Sequence, residues 1–108
     1  MSDRIDNVSV GKKSNVFFGG KCVSHSVFFA DGSRKTVGVV LPDSQLTFNV
    51  SVPELMEITA GTCSVKIAGE PTFKTYAAGS SFSVAANSSF DIHTGSEAVD
   101  YICSFGSD

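Results

Sequence analysis

The sequence contains no tryptophan, only three prolines and two histidines, and charged residues make up just 18% of its 108 positions. Hydrophobic residues nevertheless account for 42%, a content that allows one buried core in a chain too short for two domains. The low charge, the ten glycines and the nine phenylalanines favour strands over a helical bundle. We therefore predict one domain of the all-β class.

The chain also lacks a basic stripe and a long apolar run. Its net charge is -3, and no run of lysine and arginine exceeds two residues. Polymeric nucleic acid is therefore not an expected partner, whereas a small anion needs only one or two cations. No apolar segment is long enough for a membrane-spanning helix, so we predict no membrane partner.

Cysteine usage indicates a reducing compartment. Cys22, Cys63 and Cys103 are odd in number and include no CxxC pair, and residues 1–14 are polar without the apolar core of a signal peptide. We predict a cytoplasmic protein whose thiols are small buried hydrophobes. Residues 1–14 are interpreted as a polar tail and residues 15–108 as the folded domain.

Short apolar or alternating segments, broken by turn residues, follow one another from Val16 onward. Turn signals recur about every eight to twelve residues, which is typical of an all-β sandwich or barrel. Asp31-Gly32 is a strong hairpin signal. Alternation places Thr47 and Asn49 on one face of a predicted strand and Phe48 on the other. In a closed barrel this pattern can give an apolar outer layer and a polar-lined cavity.

The stretch "LTFNVSVPELMEITAG", residues 46–61, resembles the first motif of the cupin barrel. That motif has two histidines around a single residue, then a glutamate, then a glycine separated from the glutamate by six residues. Those places are held here by Thr47, Asn49, Glu54 and Gly61. The spacing is that of a metal site, but most of the residue types are not metal ligands.

The stretch "GSSFSVAANSSFDI", residues 79–92, resembles the second cupin motif, which has a glycine, a proline six residues on and a later histidine. Gly79, Ala85 and Phe90 fall at these positions. Ala85 in place of proline bears on the rigidity of a loop more than on chemistry.

The order of several segments is similar to that of the pyrimidine/purine nucleoside phosphorylases, a family of small single-domain cupins. These segments are "NVFFGGK", "TVGVVLP", "TFNVSVPELMEITAG", "YAAGSSFSVAANSSFDI" and "DYICSF". The resemblance implies a single cupin jelly-roll barrel without metal or cofactor. It also implies phosphorolysis of purine and pyrimidine ribonucleosides by inorganic phosphate, giving free base and ribose 1-phosphate. A homodimer is expected from family and fold.

Such a reaction needs a held anionic nucleophile and help for the departing base. Arg34, the only arginine outside the predicted tail, is the candidate that anchors phosphate, because its planar fork can pair with two oxygens. Glu54 is the candidate general acid or ribose ligand. The alternatives are a solvated turn charge for Arg34 and a surface carboxylate for Glu54.

Further residues are candidates for substrate binding. Polar side chains could bond to sugar hydroxyls or a base edge, and aromatic rings could contact the base. The alternatives are the polar outer face of a strand and a phenylalanine core. The candidates are Thr47, Asn49, Ser83, Phe90 and Tyr101.

Two other functions remain open at this point. A cupin without metal could be a binding module for a small anionic or nucleoside ligand. A metal-dependent oxygenase or isomerase is less favoured, because Thr47, Asn49, Glu54 and Phe90 offer few strong donors.

Overall fold

The structure, a computed structural model, describes residues 3–106. Within this range the chain is almost entirely β, with one short 3₁₀ turn at Phe18–Gly20. The strands are β1 (Ser9–Val10), β2 (Asn15–Phe17), β3 (Cys22–Phe28), β4 (Arg34–Val40), β5 (Gln45–Val50), β6 (Glu54–Ala60), β7 (Thr62–Ile67), β8 (Lys74–Ala77), β9 (Ser81–Val84), β10 (Ser88–Thr94) and β11 (Val99–Phe105). The all-β prediction is confirmed. No helix in residues 3–106 has the length and apolar content needed to cross a membrane.

The strands form two antiparallel sheets. Sheet A has the order β1-β3-β4-β11-β6-β9, with β2 also paired to β3, and sheet B has the order β5-β10-β7-β8. Asp31-Gly32 lies between the paired strands β3 and β4, and Gly32 has a φ of 90°. The predicted hairpin is therefore present at that place.

On β5 and β9 the apolar face points to the interior between the sheets. Phe82 and Val84 of β9 are buried while Ser81 and Ser83 are exposed, and Thr47 of β5 is exposed beside buried Leu46. On these two strands the small polar groups face outward, so the expected apolar outer layer is wrong there. Sheet A differs, because β4 places Val37 and Val39 on its outer face and Thr36 in the cavity lining.

Gly38 makes room for a large side chain in sheet A. Cross-strand pairing places Gly38 between Ser24 of β3 and Tyr101 of β11. A Cβ atom on Gly38 would lie 2.7 Å from the Tyr101 ring and 2.8 Å from Cβ of Ser24. The missing side chain is thus what lets the phenol of Tyr101 lie across β4.

The segment interpreted as a tail contributes a strand to sheet A. In β1, Ser9 pairs with Phe28 and Val10 with Val27, and Nδ1 of His25 lies 3.1 Å from the carbonyl oxygen of Gly11. Residues 1, 2, 107 and 108, which the predicted tail and domain include, lie outside the described residues.

The three cysteines are free and buried, as the sequence predicted. Burial raises the pKa of the Cys63 thiol to about 11, and it also raises the pKa of Cys22 above the ordinary thiol value. Both thiols are therefore protonated near neutral pH.

Candidate active site

A cavity of about 300 Å³ lies between the two sheets. This volume is at the lower end of the range found for small-molecule sites. Inward-facing side chains of β3, β4, β6 and β11 form one wall, which belongs to sheet A. Side chains of β5 and β10 form the other wall, which belongs to sheet B, and β2 contributes Asn15 and Phe17 at the margin.

The sheet A wall carries the two charged residues of the cavity lining in one cross-strand row. Phe105 pairs with Glu54, and Ser104 pairs with Lys35, so the next residue, Phe105, lies beside Arg34. The guanidinium carbon of Arg34 is 4.5 Å from the centroid of the Phe105 ring. A cation over a ring face at this distance is attracted by the ring quadrupole. Arg34 and Glu54 thus flank Phe105 at the same level of the cavity.

Glu54 occupies a half-buried position beside a thiol. The Sγ atom of Cys103 donates to Oε1 of Glu54 at 3.4 Å. Burial raises the pKa of Glu54, and the hydrogen bond from Cys103 offsets part of that effect. A carboxyl with a raised pKa retains its proton to a higher pH, which suits a general acid.

The next rows of the same wall carry uncharged polar groups. The hydroxyl of Tyr101 lies 3.3 Å from Sγ of Cys22, and Nδ2 of Asn15 donates to Oγ of Ser24 at 3.3 Å. Burial holds the pKa of Tyr101 far above its ordinary value, so the phenol remains a neutral hydroxyl. Thr36, buried between Arg34 and Gly38, adds a further hydroxyl to the lining.

The sheet B wall is aromatic. Phe48 and Phe90 are directly paired across β5 and β10, and their rings are stacked with centroids 5.3 Å apart. Ile92 continues this surface toward the core, and Asn49 lies at the exposed edge of the cavity. This wall presents ring faces and aliphatic surface to a ligand.

The structure brings five of the seven residues predicted from the sequence to the cavity: Arg34, Glu54, Asn49, Phe90 and Tyr101. Thr47 and Ser83 are exposed on outward faces of β5 and β9. Oγ1 of Thr47 donates to Oδ1 of Asp91 at 2.6 Å on the outside of sheet B. A binding role for Thr47 and Ser83 stays a prediction, and neither residue is part of the cavity lining.

Sequence reasoning missed several residues that line the cavity, among them Asn15, Phe17, Ser24, Thr36 and Phe105. A signal for Thr36 was present, because Arg34, Thr36 and Gly38 alternate along one strand and must share a face. The contribution of Asn15 and Phe17 depends on how β2 pairs with β3, which strand periodicity alone does not give.

The cupin ligand positions fit a metal ion poorly. Among residues 3–106, no three histidine, cysteine, aspartate or glutamate side chains are grouped as a metal site. At the positions themselves, Glu54 supplies a carboxylate, Thr47 faces outward and Phe90 has no donor atom. This donor set is too weak for a typical transition-metal site. Metal independence stays a prediction.

Solved structures show which class of protein this two-sheet arrangement defines. A protein of unknown function from Acinetobacter sp. ADP1 aligns with a TM-score of 0.93 and 52% identity, covering 96% of this chain and 99% of that one. A cupin domain from Schizosaccharomyces pombe aligns with a TM-score of 0.68 at 17% identity, covering 87% of this chain and 64% of that one. The fold is that of a small cupin.

Sequence relatives identify the family within this class. The family model described as "Pyrimidine/purine nucleoside phosphorylase" matches residues 12–105. A protein of that name from Thiobacillus denitrificans is 60% identical over 95% of this chain and 98% of its own length. Another from Cupriavidus metallidurans is 58% identical with the same coverage. The chain belongs to the pyrimidine/purine nucleoside phosphorylase family of enzymes, as its segments indicated.

Proposed function

We propose that the protein cleaves purine and pyrimidine ribonucleosides with inorganic phosphate, giving free base and ribose 1-phosphate. The observation that carries this proposal is the row in which Arg34 and Glu54 flank Phe105, opposite an aromatic wall. One wall offers a cation and a proton donor, and the other offers surface for a base. The names of the family and of its relatives support nucleosides and phosphate as the substrates.

Phosphate binds at Arg34 in this proposal. Arg34 is the first residue of β4, so its guanidinium can be reached from solvent while it lines the cavity. Its side chain rests on Phe105 and donates to Oγ of Ser26 at 3.5 Å, which leaves further N–H groups for an anion. An arginine fork pairs two phosphate oxygens at once and so fixes the orientation of the nucleophile.

Glu54 acts on the departing base. As the glycosidic C–N bond breaks, its electron pair goes to the base nitrogen, while a phosphate oxygen forms the new bond to C1′. Positive charge develops on the sugar in the transition state, and phosphate held nearby stabilises it. Glu54, whose pKa burial raises, delivers a proton to the base.

The reaction as proposed uses no metal or other cofactor. The bond changes are balanced by phosphate, the nucleoside and one proton. Phosphate supplies the nucleophile without metal activation, and the cavity supplies the charged groups that the transition state requires.

The test is release of free base from adenosine and from uridine by purified, metal-stripped protein, with and without inorganic phosphate. We expect phosphate-dependent release from both nucleosides, with ribose 1-phosphate formed in equal amount. Glu57→Gln is the matched control for site variants, because Glu57 lies on the outer face of the strand that carries Glu54.

Two outcomes would contradict the proposal. Base release without phosphate would indicate hydrolysis instead. Binding of nucleoside with no turnover by folded protein would favour a binding module.

A homodimer in the cytoplasm remains part of the proposal. The outer face of sheet A carries half-buried aliphatic side chains, including Val23, Val37, Val39 and Ile102. A surface of this kind suits association with a second copy of the chain. Sedimentation equilibrium measures the assembly directly, and a monomer at micromolar concentration would contradict the dimer.

A further inference from the structure

The segment Asn15–Gly20, here named the aromatic flap, exposes unusually many apolar side chains at the margin of the cavity. Relative exposure is 59% for Val16 and 44% each for Phe17 and Phe18. Three adjacent large hydrophobic residues left in contact with water mark a candidate binding surface. Of the three, Phe17 lines the cavity, so the ligand of that cavity is the natural occupant beside its ring.

The aromatic flap connects the two sheets. Through β2 it is hydrogen-bonded to β3 of sheet A, with Val16 paired to Val23. Its rings nevertheless contact sheet B, since the centroids of Phe17 and Phe18 lie 6.2 and 5.1 Å from that of Phe48 in edge-on geometry. Phe17 also lines the cavity, whereas Phe18 does not.

The backbone of the aromatic flap adopts a conformation that a bulky residue rarely takes. Phe18 has a φ of 54°, in the left-handed region, and Gly19 and Gly20 follow at 65° and 101°. Left-handed backbone at a phenylalanine is strained, and such strain is concentrated at functional sites. Here the turn returns the chain toward β3 and leaves Phe17 beside Phe48.

We propose that Phe17 is a substrate-binding residue that contacts the face of the nucleobase, with Phe48 completing the aromatic surface. This inference rests on the proposed function and specifies how the base is bound. Contact with a ring face tolerates any base, because purines and pyrimidines both present π-faces. The amides of Asn15 and Asn49 near this margin can each donate and accept, so neither selects one base edge.

The arrangement places base and phosphate at different parts of the cavity. Phe17 and Phe48 belong to the aromatic side, and Arg34 lies in the row with Phe105 and Glu54. Loss of the Phe17 ring should therefore weaken nucleoside binding without changing the affinity for phosphate.

The experiment compares Phe17→Ala, Phe17→Tyr and Phe28→Ala with the wild type. Phe28 is the matched control, because it has the same 44% exposure on β3 but does not line the cavity. KM for adenosine and for uridine is measured at saturating phosphate, and KM for phosphate at saturating nucleoside. We expect Phe17→Ala to raise both nucleoside KM values about 5- to 150-fold, with the phosphate KM unchanged. Phe17→Tyr should retain most of the affinity, and Phe28→Ala should match the wild type.

Calorimetric titration with free adenine, without phosphate, separates this inference from the proposed function. Adenine binding that Phe17→Ala weakens and Phe17→Tyr retains supports the role of Phe17 even in a protein that turns over no nucleoside. Equal adenine affinity in the wild type and Phe17→Ala would overturn it, as would a parallel rise of both nucleoside and phosphate KM. Circular dichroism of each variant verifies that the fold is retained.

Discussion

Both walls of the cavity are built from side chains of β-strands, but the two sets of side chains differ chemically. On sheet B the inward positions are filled by Phe48, Phe90 and Ile92, and Phe90 and Ile92 are almost fully buried. On sheet A the inward positions include Arg34 and Glu54, which are respectively exposed and half-buried. An ionisable side chain is tolerated at these two places because each is the first residue of its strand, at the open end of the cavity.

This difference teaches how a cupin-like site can work on a nucleoside with few ionisable groups. The sheet A wall concentrates its charges in one row, and the proposed mechanism assigns the bond changes at the sugar to that row. The sheet B wall contributes surface, and the aromatic flap extends that surface toward solvent. Loss of an aromatic ring should therefore weaken nucleoside binding more than phosphate binding, and loss of Arg34 should do the reverse.

Removal of the proton donor from the sheet A wall should have the largest effect. Glu54→Gln keeps the size of the side chain but cannot donate a carboxylic proton, so kcat should fall about 10²- to 10⁴-fold. Steady-state kinetics on adenosine measure this fall, and Glu57→Gln should leave kcat unchanged. A turnover number in Glu54→Gln equal to that of the wild type would remove Glu54 from the chemistry.

Removal of the cation should weaken phosphate binding specifically. A hydrogen bond to a charged group contributes about 1.5–3 kcal/mol, so Arg34→Ala should raise the KM for phosphate about 10- to 150-fold. The nucleoside KM should change far less. Lys35→Ala is the control, because Lys35 is adjacent in sequence but faces the other side of β4. Its Nζ atom lies 5.6 Å from the centroid of the Phe29 ring. An equal rise of the phosphate KM in both variants would show that Arg34 contributes only its charge and does not bind phosphate directly.

A substitution at Gly38 should distort the sheet A wall and leave the sheet B wall intact. A new Cβ would overlap the Tyr101 ring and Ser24, so Gly38→Ala should lower the free energy of unfolding by about 1–3 kcal/mol. Urea denaturation measures this loss. Gly95→Ala is the control, because a Cβ there meets open space. Equal stability of Gly38→Ala and the wild type would show that Tyr101 moves freely.

The raised pKa of Glu54 predicts how stability depends on pH. The folded state binds this proton more tightly than the unfolded state, so its contribution to stability is full below the ordinary glutamate pKa of about 4.3 and is lost as pH rises through the folded value. Glu54→Gln has no such proton. As the pH rises from about 4 through the folded pKa, the wild type should lose stability relative to Glu54→Gln, as urea denaturation at each pH would show. A constant difference would contradict the raised pKa.

The smallest effect is expected on the outside of sheet B. Thr47 was predicted to bind substrate, but its hydroxyl bonds to Asp91 away from the cavity. We therefore expect Thr47→Val to change kcat/KM by about twofold or less. A tenfold loss of kcat/KM would indicate that Thr47 does bind substrate.

The strand pattern predicted the fold class well, because turn residues and alternation act locally. Asp31-Gly32 was predicted to form a hairpin, and it lies between the paired strands β3 and β4. Which face is buried was less predictable. In β5, a period of two is satisfied whether Thr47 or Phe48 faces the interior. Burial settles the choice, because only the apolar face can pack against the opposite sheet.

The candidate site was partly predictable. Arg34 was found because it is the only arginine outside the predicted tail, and Glu54 because it holds a cupin ligand position. Phe17 was not found, since its position in the cavity requires β2 to pair with β3 and the following turn to bring its ring near Phe48. Contacts between the two sheets are non-local, and periodicity along one strand carries no information about them.

Contact between the aromatic wall and the base can be measured by saturation-transfer NMR with adenosine and no phosphate. The protein is deuterated except at phenylalanine, and its ring protons are irradiated selectively. We expect stronger transfer to the base protons H2 and H8 than to the ribose protons, and a marked loss of that transfer in Phe17→Ala. Stronger transfer to the ribose, unchanged in Phe17→Ala, would contradict the assignment of the aromatic wall to the base.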